Sequence, residues 1–195
     1  MTFKIIFVTV LLVATSSYAN DELINELPKE VEQQYPNAII ITEKDFSAEV
    51  RENARPQNVI SGDFDCNGSH DTGLQIYHEG RIKLVAIHRF KNERPKVMEI
   101  ERTGEWSLGS IRGHYEKIIK LKKKGSRVTF FCECGNNNKG KDQELCKKYA
   151  DSESPKGCSF TLNCDAIEWI YYGKAAQLFY FDKKDDKYLS VITED

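Results

Sequence analysis

The first nineteen residues contain a short apolar run with a basic residue before it and small residues after it. Residues 5–14 read IIFVTVLLVA, follow Lys4, and lead to Ser-Tyr-Ala at 17–19. This order is typical of a secretory signal peptide cleaved after Ala19. A membrane anchor is the alternative, but the run has only half of the roughly 20 apolar residues that cross a bilayer. We therefore expect a secreted or periplasmic protein that begins at residue 20 after processing.

The next segment has the hydrophobic spacing of a helix. Its apolar positions are separated by one, three and four residues, and its first turn is acidic; they are Leu23, Ile24, Leu27 and Val31. This spacing predicts an amphipathic helix over Asp21–Gln34, interrupted or restarted at Pro28. A single apolar stripe favours packing of the helix onto a sheet.

The rest of the chain consists mainly of short β-branched or alternating runs separated by turn residues, a pattern typical of antiparallel hairpins. A short helix is predicted at 142–149. The predicted strands are 38–42, 58–61, 74–77, 82–87, 96–101, 115–121, 127–132, 167–172, 175–181 and 188–193. The expected fold class is α+β: an N-terminal helix packed on a predominantly antiparallel, disulfide-stabilised sheet. We expect a single domain over 20–195, with a cysteine-rich insert at about 132–164, because no Pro/Gly/Ser linker divides the chain.

Composition and charge narrow the class of protein. The chain has 195 residues, of which 40% are hydrophobic and 30% charged, and its formal net charge is −2. Such a chain is too apolar for a disordered protein and has no overall basic charge for nucleic acid. Removal of 19 residues from 195 leaves 176, and the loss of Lys4 makes the net charge −3.

The six cysteines all lie in the expected mature chain, and an oxidising compartment favours disulfides. Five fall between 132 and 164, so full pairing requires Cys66 to bond to one of those five. The connectivity within the set stays open. The predicted disulfide cysteines are Cys66, Cys132, Cys134, Cys146, Cys158 and Cys164.

Metal binding and redox chemistry are the alternatives for these cysteines. A zinc site would use Cys132, Cys134, Cys146 and Cys158, but structural zinc sites usually contain two close cysteine pairs and this segment has one. A redox role for Cys132 and Cys134 lacks the Cys-x-x-Cys spacing at a helix start. Disulfides are therefore the favoured interpretation.

One segment carries candidate chemistry, and we call Gly62–Asp71 (GDFDCNGSHD) the Asp-rich loop. With Asp63 counted as position 1, side chains with oxygen atoms stand at positions 1, 3, 5 and 9. A glycine stands at position 6, where a calcium-binding loop turns sharply. Position 12 is Leu74 rather than a glutamate, so the loop is expected to join strand to strand. The predicted ligands are Asp63, Asp65, Asn67, Ser69 through its carbonyl, and Asp71.

Calcium is the expected cofactor, with weak affinity on the order of 0.1 to 1 mM, as in other extracellular modules. A bare turn is the alternative, because Asp, Asn and Gly tolerate turn geometry without an ion. Residues 67–69 also match a glycosylation sequon, which a buried ligand asparagine would not serve.

At these residues the sequence resembles the FG-GAP and VCBS repeat proteins, whose hairpin loop reads D-x-D-G-D-G-x-x-D after a short apolar strand. The similarity covers residues 58–77 and implies a calcium-binding hairpin. Cys66 stands where the repeats have glycine, and Asn67 stands where they have a carboxylate. The chain holds one copy of the motif, which implies a single hairpin within another fold rather than a propeller.

Catalytic signatures are absent from the sequence: it has no G-x-S-x-G, no H-E-x-x-H and no glycine-rich phosphate loop. Asp165 and Glu168 are a conceivable carboxylate pair beside aromatic residues, but single acidic residues are common on surfaces. The histidines lack ligand spacing and are interpreted as loop or solvated strand residues; they are His70, His78, His88 and His114.

The functional expectation is therefore a calcium-stabilised binding module outside the cytoplasm. Its partner would be an unknown protein or an envelope glycan, with no nucleic acid and no membrane span after processing, and a monomer is expected. A small extracytoplasmic hydrolase, or an inhibitor of an envelope-acting enzyme, is the alternative. No catalytic residue is assigned.

Overall fold

The computed structural model describes residues 26–131 and 157–193. The predicted signal peptide, the predicted helix at 142–149 and the cysteines at 132, 134 and 146 lie outside the described residues. The structure is 14% helical and 50% strand, and its strands pair antiparallel. Over 26–131 and 157–193, no helix has the length and apolarity needed to cross a bilayer.

The described helices are short: α1 is Lys29–Gln34, α2 is Ala48–Ala54 and α3 is Leu108–Ile111, with a 3-10 turn at Glu43–Asp45. The strands are β1 Ile39–Ile40, β2 Val59–Gly62, β3 Asp71–His78, β4 Arg81–His88, β5 Lys96–Glu105, β6 Lys117–Lys122, β7 Arg127–Phe131, β8 Gly157–Thr161, β9 Ala166–Tyr171, β10 Ala175–Asp182 and β11 Lys187–Thr193.

The described strands form two larger sheets and a ribbon. The first sheet has the order β1-β3-β4-β5, and β2 also pairs with β3. The second sheet has the order β11-β10-β9-β6, and β7 pairs with β8 in a separate two-stranded ribbon. Neighbours in sequence are mostly neighbours in space, as expected of hairpin-built sheets.

One hydrophobic cluster joins the two larger sheets. The first sheet and its loop contribute buried aliphatic and aromatic residues that pack against buried residues of the second sheet. The cluster consists of Ile60, Phe64, Leu84 and Ala86 from the first side and Ile119, Ile167, Trp169 and Phe179 from the other. Burial of these side chains supplies the main favourable term for holding the sheets together.

A buried amide adds a polar link between the sheets. Gln75 of β3 is fully buried, and its Oε1 accepts hydrogen bonds from the Tyr115 hydroxyl and from Trp169 Nε1, the latter at 2.9 Å. Its Nε2 donates to the Lys117 carbonyl at 3.3 Å. A buried amide is tolerated here because both of its ends find partners.

The predicted N-terminal helix packed on the sheet is not supported. The described part of Asp21–Gln34 contains only the six-residue helix α1, which begins after Pro28. Proline disfavours helical geometry in the residue before it, so a helix cannot easily continue through this position. Val31 is buried, but helices are a minor part of this fold.

The strand predictions agree with the structure to within a few residues, apart from 38–42, of which only Ile39–Ile40 is strand. Four described elements were missed: the strand β8, the helices α2 and α3, and the 3-10 turn at Glu43–Asp45. Strand β8 lies within the segment interpreted as a cysteine-rich insert, where no strand was predicted. Helix α2 had a usable signal: Ser47 precedes it and accepts a hydrogen bond from the Val50 amide at 3.3 Å.

The parity argument for Cys66 is confirmed. Cys66 is bonded to Cys164 across 98 residues of sequence. Cys158 is likewise disulfide-bonded, which disfavours the zinc site that would have used its thiolate. The bond attaches the Asp-rich loop to the segment that leads into β9.

Cys66 also adopts a backbone conformation that favours glycine. Its φ is 56°, in the left-handed region, where a β-carbon costs roughly 1–2 kcal/mol. This is the position at which the FG-GAP and VCBS loops have glycine. The disulfide therefore holds a residue in a conformation that the free backbone disfavours.

Two double variants test this account of Cys66. We expect Cys66→Ala/Cys164→Ala to lose about 2–4 kcal/mol of unfolding free energy, since it removes a long-range crosslink. Cys66→Gly/Cys164→Ala should lose about 1 kcal/mol less, because glycine adopts positive φ without strain. Urea unfolding of both variants measures the difference, and equal stability of the two would contradict left-handed strain at this position.

Candidate metal centre

The Asp-rich loop connects two paired strands, as expected. Gly62 at the end of β2 lies opposite Asp71 at the start of β3, so the loop closes an antiparallel hairpin. A β-carbon added at Gly62 would come within 2.8 Å of both Asp165 Oδ2 and Leu121 Cδ1. Glycine is thus required where the hairpin meets the second sheet.

Side chains at the tip of the loop fold back onto its own backbone. Asp63 Oδ2 accepts from the Gly68 amide at 3.1 Å, and Asp65 Oδ1 accepts from the Asn67 amide at 3.0 Å. Asn67 Nδ2 donates to Asp65 Oδ2 at 2.8 Å, while Asn67 Oδ1 accepts from the Ser69 amide at 2.6 Å. These bonds explain the density of Asp, Asn and Gly in the turn.

Asp71 lies at the base of the loop and is fully buried. Its Oδ2 accepts from the Phe64 amide at 3.0 Å and its Oδ1 from the Arg89 amide at 2.8 Å. Burial raises the pKa of the Asp71 carboxyl, and the amide bonds together with His88 offset part of the increase. The Asp71 carboxyl group thus links the start of the loop, at Phe64, to Arg89, which directly follows β4.

His88, the last residue of β4, faces the same carboxylates. Its Nδ1 lies 3.3 Å from Asp65 Oδ2 and 3.6 Å from Asp71 Oδ2, and its Nε2 lies 3.0 Å from the Tyr188 hydroxyl. Over the described residues, Asp65, Asp71 and His88 form a group whose ligand atoms all lie within 4.8 Å of one another. All three side chains are buried.

The interpretation of His88 as a loop or solvated strand residue is therefore wrong, since it is 1% exposed. Its position at the end of an apolar strand, Arg81–His88, was the available signal, because all but the first residue of that strand is buried. The spacing of residues in the sequence did not predict that His88 lies beside the loop carboxylates, because a residue on a neighbouring strand has no fixed sequence distance from the loop.

The predicted ligands are only partly brought together. Asp65 and Asp71 belong to the group of three, and Asp63 does not. Asp63 Oδ1 is buried and has no hydrogen-bond partner within 26–131 and 157–193. The side chains of Asn67 and Asp65 are linked to each other, and Asn67 Nδ2 also donates to the Arg89 carbonyl at 2.9 Å. The five-ligand set stays a prediction.

Asp165 fastens the loop to the second sheet. Its Oδ2 accepts from the Asp63 amide at 3.2 Å, its own amide donates to the Asp63 carbonyl at 3.1 Å, and its Oδ1 accepts from the Lys124 amide at 2.8 Å. Burial acts to raise the pKa of Asp165, but the two amide bonds and Lys123 outweigh it, so the pKa is lowered. The charged form is thus the one that the fold stabilises.

The conceivable catalytic pair of Asp165 and Glu168 has other contacts. Both carboxylate oxygens of Asp165 accept backbone hydrogen bonds, and Glu168 Oε1 lies 3.8 Å from Lys122 Nζ. A carboxylate already engaged by amides is poorly suited to proton transfer.

Comparison of the chain with protein-family models, curated proteins and solved structures found no match. The resemblance to FG-GAP and VCBS repeats therefore rests on residues 58–77 alone and stays a prediction.

The pH dependence of stability tests the role of Asp165. We expect Asp165→Asn to lose about 1–3 kcal/mol at pH 7, since it weakens hydrogen bonds to a charged acceptor. The folded pKa lies below the unfolded value of about 3.9, so the stabilisation is complete above that value and disappears as pH falls through the folded pKa. Urea unfolding of the wild type and the variant between pH 7 and pH 3 measures the convergence.

Glu93→Gln, at an exposed loop position, is the control and should leave stability unchanged across this range. A difference between wild type and Asp165→Asn that stays constant from pH 7 to pH 3 would contradict the assignment.

Proposed function

We propose that this protein is an extracytoplasmic binding module whose Asp-rich loop holds a calcium ion. The observation that carries the proposal is the buried, unpartnered Oδ1 of Asp63, in a loop that also concentrates Asp65 and Asp71. A buried carboxylate oxygen without a partner is costly, and a bound cation removes that cost. Chance rarely places such an atom in a loop with calcium-site spacing.

The donor set matches the preferences of calcium. Carboxylates of Asp63, Asp65 and Asp71, the amide oxygen of Asn67 and the carbonyl of Ser69 are hard oxygen donors. Their amide hydrogen bonds do not exhaust them, because each carboxylate oxygen has two lone pairs. Three carboxylates also offset the double positive charge of the ion.

An ion in the loop would act on the whole molecule through the contacts of the loop. The backbone of Asp63 is bonded to Asp165, Cys66 is bonded to Cys164, and the Cys66 carbonyl accepts from Lys183 Nζ at 2.9 Å. All three partners belong to the C-terminal third of the chain. Calcium would therefore stabilise the junction between the two sheets as well as the hairpin.

The partner surface of the module would lie beside the disulfide. A cavity of about 600 Å³ adjoins the loop, within the size range of small-ligand sites. Aromatic faces with nearby amines suit the stacking and hydrogen bonding of a glycan or a protein side chain. Its lining includes Cys66, Phe160, Cys164, Tyr180, Phe181 and Lys183.

The location outside the cytoplasm is supported by the disulfide, since such bonds persist in oxidising compartments. The signal-peptide pattern of residues 1–19 supports the same location. The engagement of Asp165 by backbone amides favours a binding module over the hydrolase alternative.

Calcium titration followed by thermal melting tests the proposal. For a dissociation constant of about 0.5 mM, 10 mM calcium should add about 1.8 kcal/mol, which raises the melting temperature by roughly 4–7 °C. Asp63→Asn should reduce the rise to below about 1 °C, because it removes a charged ligand.

Asp186→Asn is the matched control, since it removes an exposed carboxylate in a turn outside the loop, and it should retain the full rise. An unchanged melting temperature of the wild type at 10 mM calcium would contradict the calcium assignment. A rise in Asp63→Asn equal to that of the wild type would contradict it as well.

A further inference from the structure

Two carboxylates of the Asp-rich loop and one histidine of β4 lie close together on the inner side of the loop. One ligand atom from each of Asp65, Asp71 and His88 lies within 4.8 Å of the other two. The three residues are 5%, 0% and 1% exposed, respectively. His88 Nδ1 is buried and has no hydrogen-bond partner among the residues that the structure describes. A buried imidazole nitrogen that faces two carboxylates is positioned to bind a cation together with them.

The two distances from His88 Nδ1 to the carboxylates are close to the edge lengths of a small coordination shell. Ligands bound to zinc at about 2.0–2.1 Å in a tetrahedron lie about 3.3–3.4 Å apart. His88 Nδ1 lies 3.3 Å from Asp65 Oδ2 and 3.6 Å from Asp71 Oδ2. His88 is therefore already placed at coordination distance from each carboxylate, and the group as a whole lies within 4.8 Å.

Neighbouring groups hold the His88 ring in a ligating orientation. Its Nε2 lies 3.0 Å from the Tyr188 hydroxyl, and the ring packs against Phe181 at a centroid distance of 4.9 Å. If Nε2 carries the proton and donates to Tyr188, Nδ1 keeps its lone pair toward the carboxylates. Metal-bound histidines typically use their second nitrogen in this way.

The carboxylates are held as firmly as the imidazole. The Phe64 and Arg89 amides donate to the two oxygens of Asp71, and the Asn67 amide groups donate to Asp65. Each oxygen keeps a lone pair for an ion. Two carboxylates and one divalent ion are neutral together, which suits a buried position.

We propose that Asp65, Asp71 and His88 form an inner site for a divalent transition metal of the zinc class. Imidazole is a preferred ligand of zinc and a poor match for calcium, which takes oxygen donors. The inference goes beyond the calcium proposal and does not depend on it. The two sites share Asp65 and Asp71 and differ in Asp63 on one side and His88 on the other, so the two ions compete.

Isothermal titration of untagged, metal-free protein with zinc chloride tests the proposal. We expect one zinc ion per chain. His88→Gln should reduce the zinc affinity at least about 100-fold, because it removes a side chain that binds the metal directly. His114→Gln, an exposed histidine, is the control and should bind zinc as the wild type does. Equal zinc affinity of His88→Gln and wild type would overturn the proposal.

Calcium titrations of the same variants separate this proposal from the previous one. His88→Gln should keep the calcium-induced rise in melting temperature, and Asp63→Asn should lose it while still binding zinc. Loss of the calcium response alone would count only against calcium. Loss of zinc binding in Asp63→Asn together with its retention in His88→Gln would overturn the inner site.

A spectroscopic measurement on the wild type covers the case in which His88→Gln does not fold. Cobalt(II) in a tetrahedral oxygen and nitrogen site gives strong visible absorption. We expect these bands at one equivalent of cobalt, their removal by one equivalent of zinc, and their persistence in the same concentration of calcium. Absence of the bands, or their displacement by equimolar calcium, would count against the site.

Discussion

The reciprocal pairing of Asp63 and Asp165 fixes the Asp-rich loop against the second sheet, beside the hydrophobic cluster that holds the two sheets together. Each residue donates its backbone amide to the other, to a side-chain oxygen in one direction and to a carbonyl in the other. The carboxylate of Asp165 also holds the Lys124 amide, and the Cys66–Cys164 bond lies beside it. A hairpin loop that would ordinarily be a solvated turn is thereby built into the junction between sheets.

The place of the Asp-rich loop between the two sheets explains why carboxylates lie next to the buried hydrophobic cluster. Phe64 of the loop is fully buried in the cluster that joins the sheets, while its neighbours Asp63 and Asp65 carry carboxylates. Those charges need partners, because burial of an unpaired carboxylate is unfavourable. Backbone amides satisfy many of the lone pairs, and the remaining ones are the basis of both metal proposals. Binding energy at the loop would thus become stability of the whole domain.

The sequence predicted local features well and long-range partners poorly. The hairpin around 62–71 and most strand positions follow from alternation and turn residues, which are local properties. The parity of the cysteines correctly required a distant partner for Cys66, although it did not identify Cys164. The burial of His88 beside Asp71 and the hydrogen bonds of Asp165 to the loop were not predicted. These contacts join residues that are at least 17 positions apart, and no spacing rule relates such residues. The helix expected over Asp21–Gln34, with an interruption or restart at Pro28, is present in the described residues only as Lys29–Gln34, because proline restricts the backbone of the residue before it.

The most direct test of an ion-organised junction is hydrogen exchange at single amides, measured by NMR with and without 10 mM calcium. The Gly68 and Phe64 amides donate to loop carboxylates, and the Lys124 amide donates to Asp165 on the second sheet. Calcium should slow the exchange of all three by at least about tenfold, the equivalent of about 1.4 kcal/mol. The Trp106 amide, bonded to the Gly80 carbonyl in another hairpin, should be slowed less than these three, because its local opening leaves the loop intact. Identical exchange of the three amides in both conditions would contradict the account.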